Sequence, residues 1–183
     1  MKILIVSGFL GAGKTTFIKR LARNVDQRFA ILENEYGAAG IDGARLGQNR
    51  QGTQKNVWEM TEQCICCIGK KDFAASVLTI ANVVDPEYLI VEPTGVGSLA
   101  RIIENLRQIE YERIQLLSPV TIVDVYSYRR YMAEYPELYQ DQIRSADTII
   151  VSKTEACQAE EKQRIQKFLQ EINPQAKIIT DYA

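Results

Sequence analysis

The sequence contains no histidine, no net positive charge and no long apolar run. A metal site in this chain cannot use imidazole, and 22 basic against 23 acidic residues leave no surplus charge to neutralise the phosphates of a nucleic acid. The apolar run at residues 3–6 ends in a glycine-rich segment, unlike the core of a signal peptide. We therefore expect a cytoplasmic protein whose partners are neither nucleic acids nor membranes.

Short β-branched apolar runs alternate with segments of helical spacing, which is typical of a mostly parallel sheet covered on both faces. The length of 183 residues and the ordinary composition, 46% hydrophobic and 25% charged, suit one compact domain. We predict a single three-layer α/β/α domain of the α/β class over residues 1–183. The predicted strands are residues 3–6, 30–32, 88–91, 120–123, 148–151 and 178–180, and the predicted helices include residues 17–22, 73–81, 99–109 and 165–172.

A long polar segment interrupts this alternation. Residues 36–55, YGAAGIDGARLGQNRQGTQK, are rich in Gly, Gln and Asn and carry few large apolar side chains. Such a composition predicts a long mobile loop, and long loops in compact domains usually carry function.

Residues 8–15, GFLGAGKT, match the phosphate-binding Walker A pattern G-x-x-x-x-G-K-[ST] between a predicted strand and a predicted helix over residues 14–24. The glycines allow backbone N–H groups to surround phosphates at a helix N-terminus. We expect Lys14 to reach the β and γ phosphates, the Thr15 hydroxyl to bind Mg²⁺ and Thr16 to assist at the α-phosphate. A chance glycine-rich turn is the alternative. The predicted nucleotide-binding residues here are Gly8, Gly11, Ala12, Gly13, Lys14, Thr15 and Thr16.

Carboxylates end two of the predicted strands. Glu92 closes YLIVE and Gly95 follows it by three residues, a spacing that suits a carboxylate near Mg²⁺, through water, and a glycine N–H near the γ-phosphate. We assign catalytic roles to Lys14, Glu92 and Gly95. A plain helix-capping acid is the alternative for Glu92, and Asp124, at the end of PVTIVD, is a second candidate carboxylate.

The segment SKTE, residues 152–155, follows a predicted strand where a guanine-binding protein carries Asn-Lys-x-Asp. Lys153 is expected to pack on the base and Glu155 to accept hydrogen bonds from guanine. Guanine is the preferred base, with adenine still open.

Three thiols, Cys64, Cys66 and Cys67, lie within four residues. Thiolates are soft ligands for Zn²⁺, Cu⁺ and similar ions. A fourth ligand would be water, a carboxylate such as Glu33 or Glu35, or a group from a partner. A redox pair and unreactive packing cysteines are the rival interpretations, and the separate Cys157 receives no role.

These motifs together, from GFLGAGKTT through ILENEYG, CICC, IVEPTG, TIVD and ADTIIVSKTE to NPQAKIIT, resemble the nucleotide-binding domain of the CobW-type P-loop GTPases. The resemblance covers nearly the whole chain. It implies a GTP-hydrolysing metallochaperone that delivers zinc, cobalt or another transition metal to a client metalloprotein. It assigns Lys14 and Thr15 to GTP and Mg²⁺, residues 33–37 to the first switch, Glu92 and Gly95 to the hydrolysis-sensing segment, and the three cysteines to the metal.

The sequence departs from the family pattern at several points. Gln63 stands where glycine is common before CICC, Ala38 follows EYG where an acidic residue is frequent, and SKTE replaces NKxD. The C-terminal domain that is usual in the family, often histidine-rich, is absent from these residues. A second copy of the chain is a candidate partner.

The cysteines lie between the first switch and the Glu92 segment in the sequence, so nucleotide state is expected to set metal affinity, and bound metal to alter nucleotide affinity by the same factor. A P-loop phosphotransferase using ATP is an alternative function, in which Arg129 and Arg130 would be lid residues instead of solvated surface arginines. A nucleotide-regulated redox sensor is another.

Overall fold

A parallel sheet organises the part of the chain that the computed structural model describes, which is residues 1–24, 27–33, 57–61 and 70–181. The strands are β1 (Lys2–Gly8), β2 (Phe29–Glu33), β3 (Val57–Thr61), β4 (Tyr88–Glu92), β5 (Gln115–Leu116), β6 (Val120–Asp124), β7 (Thr148–Ser152) and β8 (Lys177–Ile179). The helices are α1 (Lys14–Asn24), α2 (Lys70–Val83), α3 (Leu99–Arg107), α4 (Tyr128–Glu134), α5 (Pro136–Arg144) and α6 (Ala159–Ile172).

The strand order is β3-β2-β4-β1-β6-β7-β8, and the short β5 pairs with β1 beside this path. Each of these strand pairs is parallel. The first strand of the sequence therefore lies in the middle of the sheet, and its carboxyl end is flanked by the carboxyl ends of β4 and β6. In open parallel sheets this edge is where ligands bind.

Successive residues of the strands face opposite sides of the sheet, as the period of two requires. Ile5, Leu89 and Ile149 belong to one buried cluster, whereas Val6, Ile90 and Ile150 belong to another. The first cluster includes residues of α2, α3, α5 and α6, and the second includes Ile18 and Ala22 of α1. The observed architecture is therefore the predicted three-layer α/β/α domain.

All six predicted strands and all predicted helices are observed, with boundaries that differ by a few residues. The structure adds β3, β5, α4 and α5, which the sequence analysis did not predict. The predicted mobile loop at residues 36–55 lies outside the described residues. Within the described ranges, no helix is long and apolar enough to cross a membrane.

Candidate functional site

The segment between β1 and α1 has the backbone conformation that its glycines permit. Gly8, Gly11 and Gly13 have φ angles of +144°, +72° and +99°, a region that side-chain-bearing residues rarely adopt. The turn is closed by a hydrogen bond from Ala12 N to Phe9 O of 3.1 Å. This conformation carries the chain from the end of β1 into the N-terminus of α1, whose free N–H groups favour an anion.

Gly8 also has a packing reason to lack a side chain. A Cβ at this position would lie 2.5 Å from the carbonyl oxygen of Ile122 in the neighbouring strand β6. At Gly11, by contrast, a Cβ would meet nothing within 4 Å. The loop is therefore closed against the sheet at its start and open at its tip.

Lys14, the first residue of α1, is only 8% exposed. Its Nζ lies 3.4 Å from Phe9 O and 4.0 Å from Glu92 Oε1. Burial lowers the pKa of Lys14 from its ordinary value, and the carboxylate of Glu92 partly opposes this effect. A desolvated ammonium at the N-terminus of a helix favours a bound anion, so the residues present fit a phosphate.

The next side chain along α1 joins the loop to β4. The Thr15 hydroxyl donates to Glu92, at 3.1 Å from Oε1 and 3.4 Å from Oε2. These two residues are 77 positions apart in the sequence. A hydroxyl and a carboxylate oxygen side by side are hard ligands of the kind that Mg²⁺ prefers, so this pair fits the predicted Mg²⁺ position.

A tight turn follows β4 at residues 94–97, closed by a hydrogen bond from Gly97 N to Thr94 O of 3.0 Å. Gly95 in this turn abuts the loop, because a Cβ there would lie 2.6 Å from Leu10 N. The predicted hydrolysis-sensing residue is therefore in contact with the predicted phosphate loop. The contact requires glycine at position 95.

The loop residue Phe9 is buried among tyrosines of α4, of α5 and of the junction between them. Its ring centroid lies 4.7 Å from that of Tyr131, 5.9 Å from that of Tyr135 and 5.0 Å from that of Tyr139. The Tyr131 hydroxyl donates to Leu10 O at 2.9 Å. Aromatic packing on Phe9 and the hydrogen bond to Leu10 O together hold the first half of the phosphate loop against the α4–α5 segment.

The SKTE segment, which is predicted to select the base, begins at the end of β7. In the sheet β7 lies beyond β6, on the side of β1 opposite to β4. Ser152 is buried and its hydroxyl donates to Ala12 O at 2.6 Å. Lys153 has a positive φ of 60°, and its side chain is about half exposed. The serine that replaces asparagine therefore still bonds the phosphate loop, and Glu155 is exposed beyond it.

Asp124, the second strand-end carboxylate, is held by hydrogen bonds from residues on the base side of the site. Its Oδ2 accepts from Lys153 Nζ at 2.7 Å and from the Ser127 hydroxyl, and its Oδ1 accepts from Tyr126 N at 2.9 Å. Burial alone would raise the pKa of Asp124, but these hydrogen bonds outweigh it and hold the pKa below its ordinary value. The carboxylate is therefore charged at neutral pH and orients Lys153.

Several predicted site residues are not described by the structure. Cys64, Cys66, Cys67 and Glu35 lie outside the described residues, and for Glu33 only the backbone, at the end of β2, is described. Within the described ranges, no group of three or more His, Cys, Asp or Glu side chains is arranged to hold a metal. The predicted thiol site therefore stays a prediction.

The remaining predicted residues lie on the surface or at its margin. Thr16 is exposed on α1 and Cys157 is half-buried after β7. Arg129 pairs with Glu161 at 3.5 Å, and Arg130 stacks 4.7 Å above the Tyr131 ring. These contacts give both arginines ordinary surface partners.

Sequence reasoning missed two residues of α5 that hold the turn after β4. Gln142 donates from Nε2 to Gly95 O at 3.1 Å and to Gly97 O at 3.0 Å. Asp141 Oδ2 accepts from Leu99 N at 2.7 Å, at the N-terminus of α3. The regular helical spacing of aromatic residues through 128–143 would have predicted α4 and α5 but not these hydrogen bonds.

The family model described as "CobW/HypB/UreG, nucleotide-binding domain" matches residues 2–180. The chain belongs to this family. This CobW/HypB/UreG domain is 30% identical to the zinc chaperone YeiR of Escherichia coli, in an alignment that covers 96% of the chain and 53% of YeiR. It is 27% identical to the zinc chaperone CobW of Pseudomonas aeruginosa, over 90% of the chain and 52% of that relative. The chain spans about half the length of the curated relatives it matches.

Solved structures of relatives share the fold of this CobW/HypB/UreG domain. The Zn(II)-bound YjiA GTPase from E. coli matches 98% of the chain and 57% of YjiA, with a TM-score of 0.72 and 22% identity. HypB from Helicobacter pylori, in complex with nickel, matches 96% of the chain and 76% of HypB, with a TM-score of 0.64 and 18% identity. The likeness confirms the predicted α/β/α architecture.

Proposed function

We propose that this chain is the GTP-binding and GTP-hydrolysing domain of a metallochaperone, in which nucleotide state controls the binding of zinc or a similar ion at Cys64, Cys66 and Cys67. The observation that carries the proposal is the contact of Thr15 with Glu92, 3.1 Å apart beside the buried Lys14. It joins a phosphate loop to a strand-end carboxylate in a chain of the CobW/HypB/UreG family.

Phosphate binding would use the loop backbone and Lys14. The positive φ angles of Gly11 and Gly13 and the N-terminus of α1 suit a cradle of N–H donors for the β-phosphate. Lys14, already desolvated, would exchange its 3.4 Å contact with Phe9 O for phosphate oxygens. Transfer to water then needs positioning and charge stabilisation more than a covalent step.

Magnesium would be held directly by the Thr15 hydroxyl and through water by Glu92. When bound, Mg²⁺ neutralises charge on the β and γ phosphate oxygens. Holding the metal would require Thr15 to redirect its hydroxyl from the carboxylate, and Glu92 would then accept hydrogen bonds from water on the metal. Gly95 would offer its N–H to the γ-phosphate from the turn against Leu10.

Base recognition would fall to Lys153 and Glu155, with guanine preferred. Asp124 fixes the direction in which the Lys153 side chain leaves the backbone, and Glu155 would accept from the guanine N1–H and exocyclic amine. We expect Glu155→Gln to reduce the preference for GTP over ATP by about tenfold, because one strong acceptor is lost. Competition binding with both nucleotides measures this, and an unchanged preference would exclude Glu155 from base selection.

Zinc is the preferred cargo because several relatives are named for it, among them the zinc chaperones YeiR, CobW and YjiA and the zinc-regulated GTPase metalloprotein activator 1 of Dictyostelium discoideum. Three neighbouring thiolates suit zinc as soft ligands and leave a fourth position open. An incomplete set of ligands favours release to a client metalloprotein, the proposed partner.

Coupling between the two sites is supported by the register of the sheet. Glu33 is the register partner of Glu92 on one side and of Thr61 on the other, so these three residues form one row across β4, β2 and β3. Adjacent strands are about 4.8 Å apart, so the end of β3, two strands away, lies about 10 Å from the backbone of Glu92. Cys64 follows Thr61 by three residues, or at most about 11 Å of extended chain.

The experiment that tests the proposal measures zinc and nucleotide binding on the same purified protein by titration calorimetry. We expect zinc affinity to differ between the GTP-analogue and GDP complexes, and GTP-analogue affinity to change by the same factor when zinc is bound. A double variant with Cys66→Ala and Cys67→Ala should lose zinc binding and keep nucleotide binding. Equal nucleotide affinity with and without zinc would refute the coupling.

A further inference from the structure

The turn at residues 94–97 is held on two sides. On one side Gly95 abuts the phosphate loop, since an added Cβ would lie 2.6 Å from Leu10 N and 3.1 Å from Phe9 C. On the other side helix α5 contributes the side chain of Gln142. A turn confined in this way can change its shape only if one of the two contacts yields.

Gln142 holds the turn through its amide nitrogen. Nε2 donates to Gly95 O at 3.1 Å and to Gly97 O at 3.0 Å. Both acceptors are carbonyls, which fixes which end of the amide faces the turn, because the oxygen would be repelled there. One side chain therefore sets the direction of two peptide groups of the same turn.

The other end of the same amide is left without a partner. Gln142 is 1% exposed, and its Oε1 accepts no hydrogen bond within the described part of the chain. A buried acceptor without a donor is costly, so an amide is an expensive choice if packing were its only purpose. The two hydrogen bonds to the turn are therefore what a glutamine contributes at position 142.

The helix that carries Gln142 is itself anchored. The Gln142 carbonyl accepts from the Thr121 hydroxyl of β6 at 2.9 Å, and the neighbouring Asp141 caps α3 by accepting from Leu99 N at 2.7 Å. The amide therefore projects from a support fixed to the sheet and to the helix that follows the turn. Such support is what a positioning residue requires.

We infer that Gln142 is a positioning residue that holds the turn at residues 94–97, and through it the Gly95 N–H, where the γ-phosphate of GTP would meet it, and so sets the preference for GTP over GDP. This rests on the proposed function. GDP lacks the γ-phosphate and does not reach the turn. Loss of the two hydrogen bonds should therefore weaken the binding of the triphosphate and spare the binding of the diphosphate.

The test compares Gln142→Met with Gln140→Met. Methionine keeps the length of glutamine and removes its hydrogen bonds, and Gln140, on the same helix, contacts Met132 Sδ instead of the turn. We expect Q142M to reduce the affinity for a non-hydrolysable GTP analogue about tenfold, with GDP affinity unchanged. Q140M should leave both affinities unchanged. Titration calorimetry with each nucleotide in the presence of Mg²⁺ measures the ratio.

The inference would be overturned if Q142M had the same ratio of GTP-analogue affinity to GDP affinity as the wild type, whether both affinities fall together or neither does. A purely structural role affects both nucleotides equally. If Q142M does not fold, Gln142→Asn replaces it under the same criterion, since the shorter amide cannot reach both carbonyls. If the wild type bound neither guanine nucleotide, the proposed function would fall together with this inference. A wild type that binds both nucleotides makes the two failures distinguishable.

A second measurement uses the wild type alone. The Gly97 amide, bonded to Thr94 O at 3.0 Å, should exchange with deuterium more slowly in the GTP-analogue complex than in the GDP complex, because the γ-phosphate adds a contact to the clamped turn. Equal exchange in the two complexes would overturn the inference.

Discussion

The two sides of the candidate nucleotide site are held in different ways. On the phosphate side, Gly8, Gly11 and Gly13 take backbone conformations that few other residues adopt, and Gly95 fits against Phe9 and Leu10 of the same loop for lack of a side chain. On the base side, Ser152 and Asp124 act through side-chain hydrogen bonds, to Ala12 O and from Lys153. Glycine backbone conformations distinguish the first side, and side-chain hydrogen bonds distinguish the second.

This difference explains why the phosphate side follows a known pattern and the base side departs from one. A backbone conformation that needs glycine tolerates almost no substitution. A side-chain hydrogen bond can be made by another residue of suitable reach, and Ser152 makes one to the loop from the position where asparagine is usual.

The largest effect is expected from Lys14→Met, which removes the cationic side chain predicted to contact the phosphates. Nucleotide affinity should fall on the order of 1,000-fold, because the phosphates lose a buried charge. The melting temperature of the nucleotide-free protein should not fall. Burial lowers the pKa of Lys14 below 10.5, so the charged form costs folding free energy at neutral pH, and its removal relieves that cost. A large drop in melting temperature would show that Lys14 has a structural role.

A second substitution tests whether backbone shape fixes the loop. Gly8→Ala should destabilise the fold by about 3 kcal/mol, since the new Cβ would lie 2.5 Å from Ile122 O at a strained φ. Gly11→Ala is the matched control, with a positive φ but nothing within 4 Å of the Cβ, and should cost about 1 kcal/mol. Urea unfolding measures both. Equal losses would mean that the close approach at Gly8 relaxes without cost.

On the base side, Ser152→Ala removes the hydrogen bond to Ala12 O. We expect a loss of about 1.5 kcal/mol of stability together with weaker nucleotide binding, because Ala12 belongs to the phosphate loop. Asn173→Ala removes buried hydrogen bonds outside the site, from Nδ2 to Ile143 O and to Ala146 O, each 2.9 Å long, and should reduce stability without affecting nucleotide binding. Identical effects of the two variants on binding would contradict the role of Ser152.

The smallest effect is expected from Asp124→Asn, which removes one charge and keeps the shape. Because the folded-state pKa of Asp124 is lowered, its stabilisation is present above the ordinary value of 3.8 and is lost as pH falls through the lowered pKa. The wild type should be more stable than the variant by about 1 kcal/mol at pH 7, a modest amount because Lys153 is half exposed. The difference should vanish in strong acid. A stability difference between wild type and variant that persists in strong acid would have to come from packing.

Sequence reasoning located six strands because each is a short apolar run rich in β-branched residues, but it missed β3 and β5. β3, VWEMT, carries a glutamate and follows a polar segment, and β5 has two residues, so pairing with a neighbouring strand defines it more than its own sequence does. It missed α4 and α5 because their apolar positions are largely tyrosines among charged residues, as at Tyr128, Tyr131 and Tyr139.

Sequence reasoning likewise predicted one part of the candidate site and missed another. The motif predicted the neighbourhood of Lys14, Thr15 and Glu92, since loop and strand-end residues converge at one edge of any parallel sheet. It did not predict that Gln142 bonds Gly95, which is 47 residues away. A hydrogen bond over such a separation depends on how α5 packs, which local patterns do not encode.

The aromatic surroundings of Phe9 limit how this loop can be moved to another protein. Phe9 packs on Tyr131 and Tyr139, and Leu10 O is bonded by a tyrosine hydroxyl. An engineer who grafted residues 8–15 onto a different parallel sheet would bring the glycines and the lysine but leave a large ring without its pocket. A successful transplant would need the two-helix segment of residues 128–144 as well, or a smaller residue at position 9.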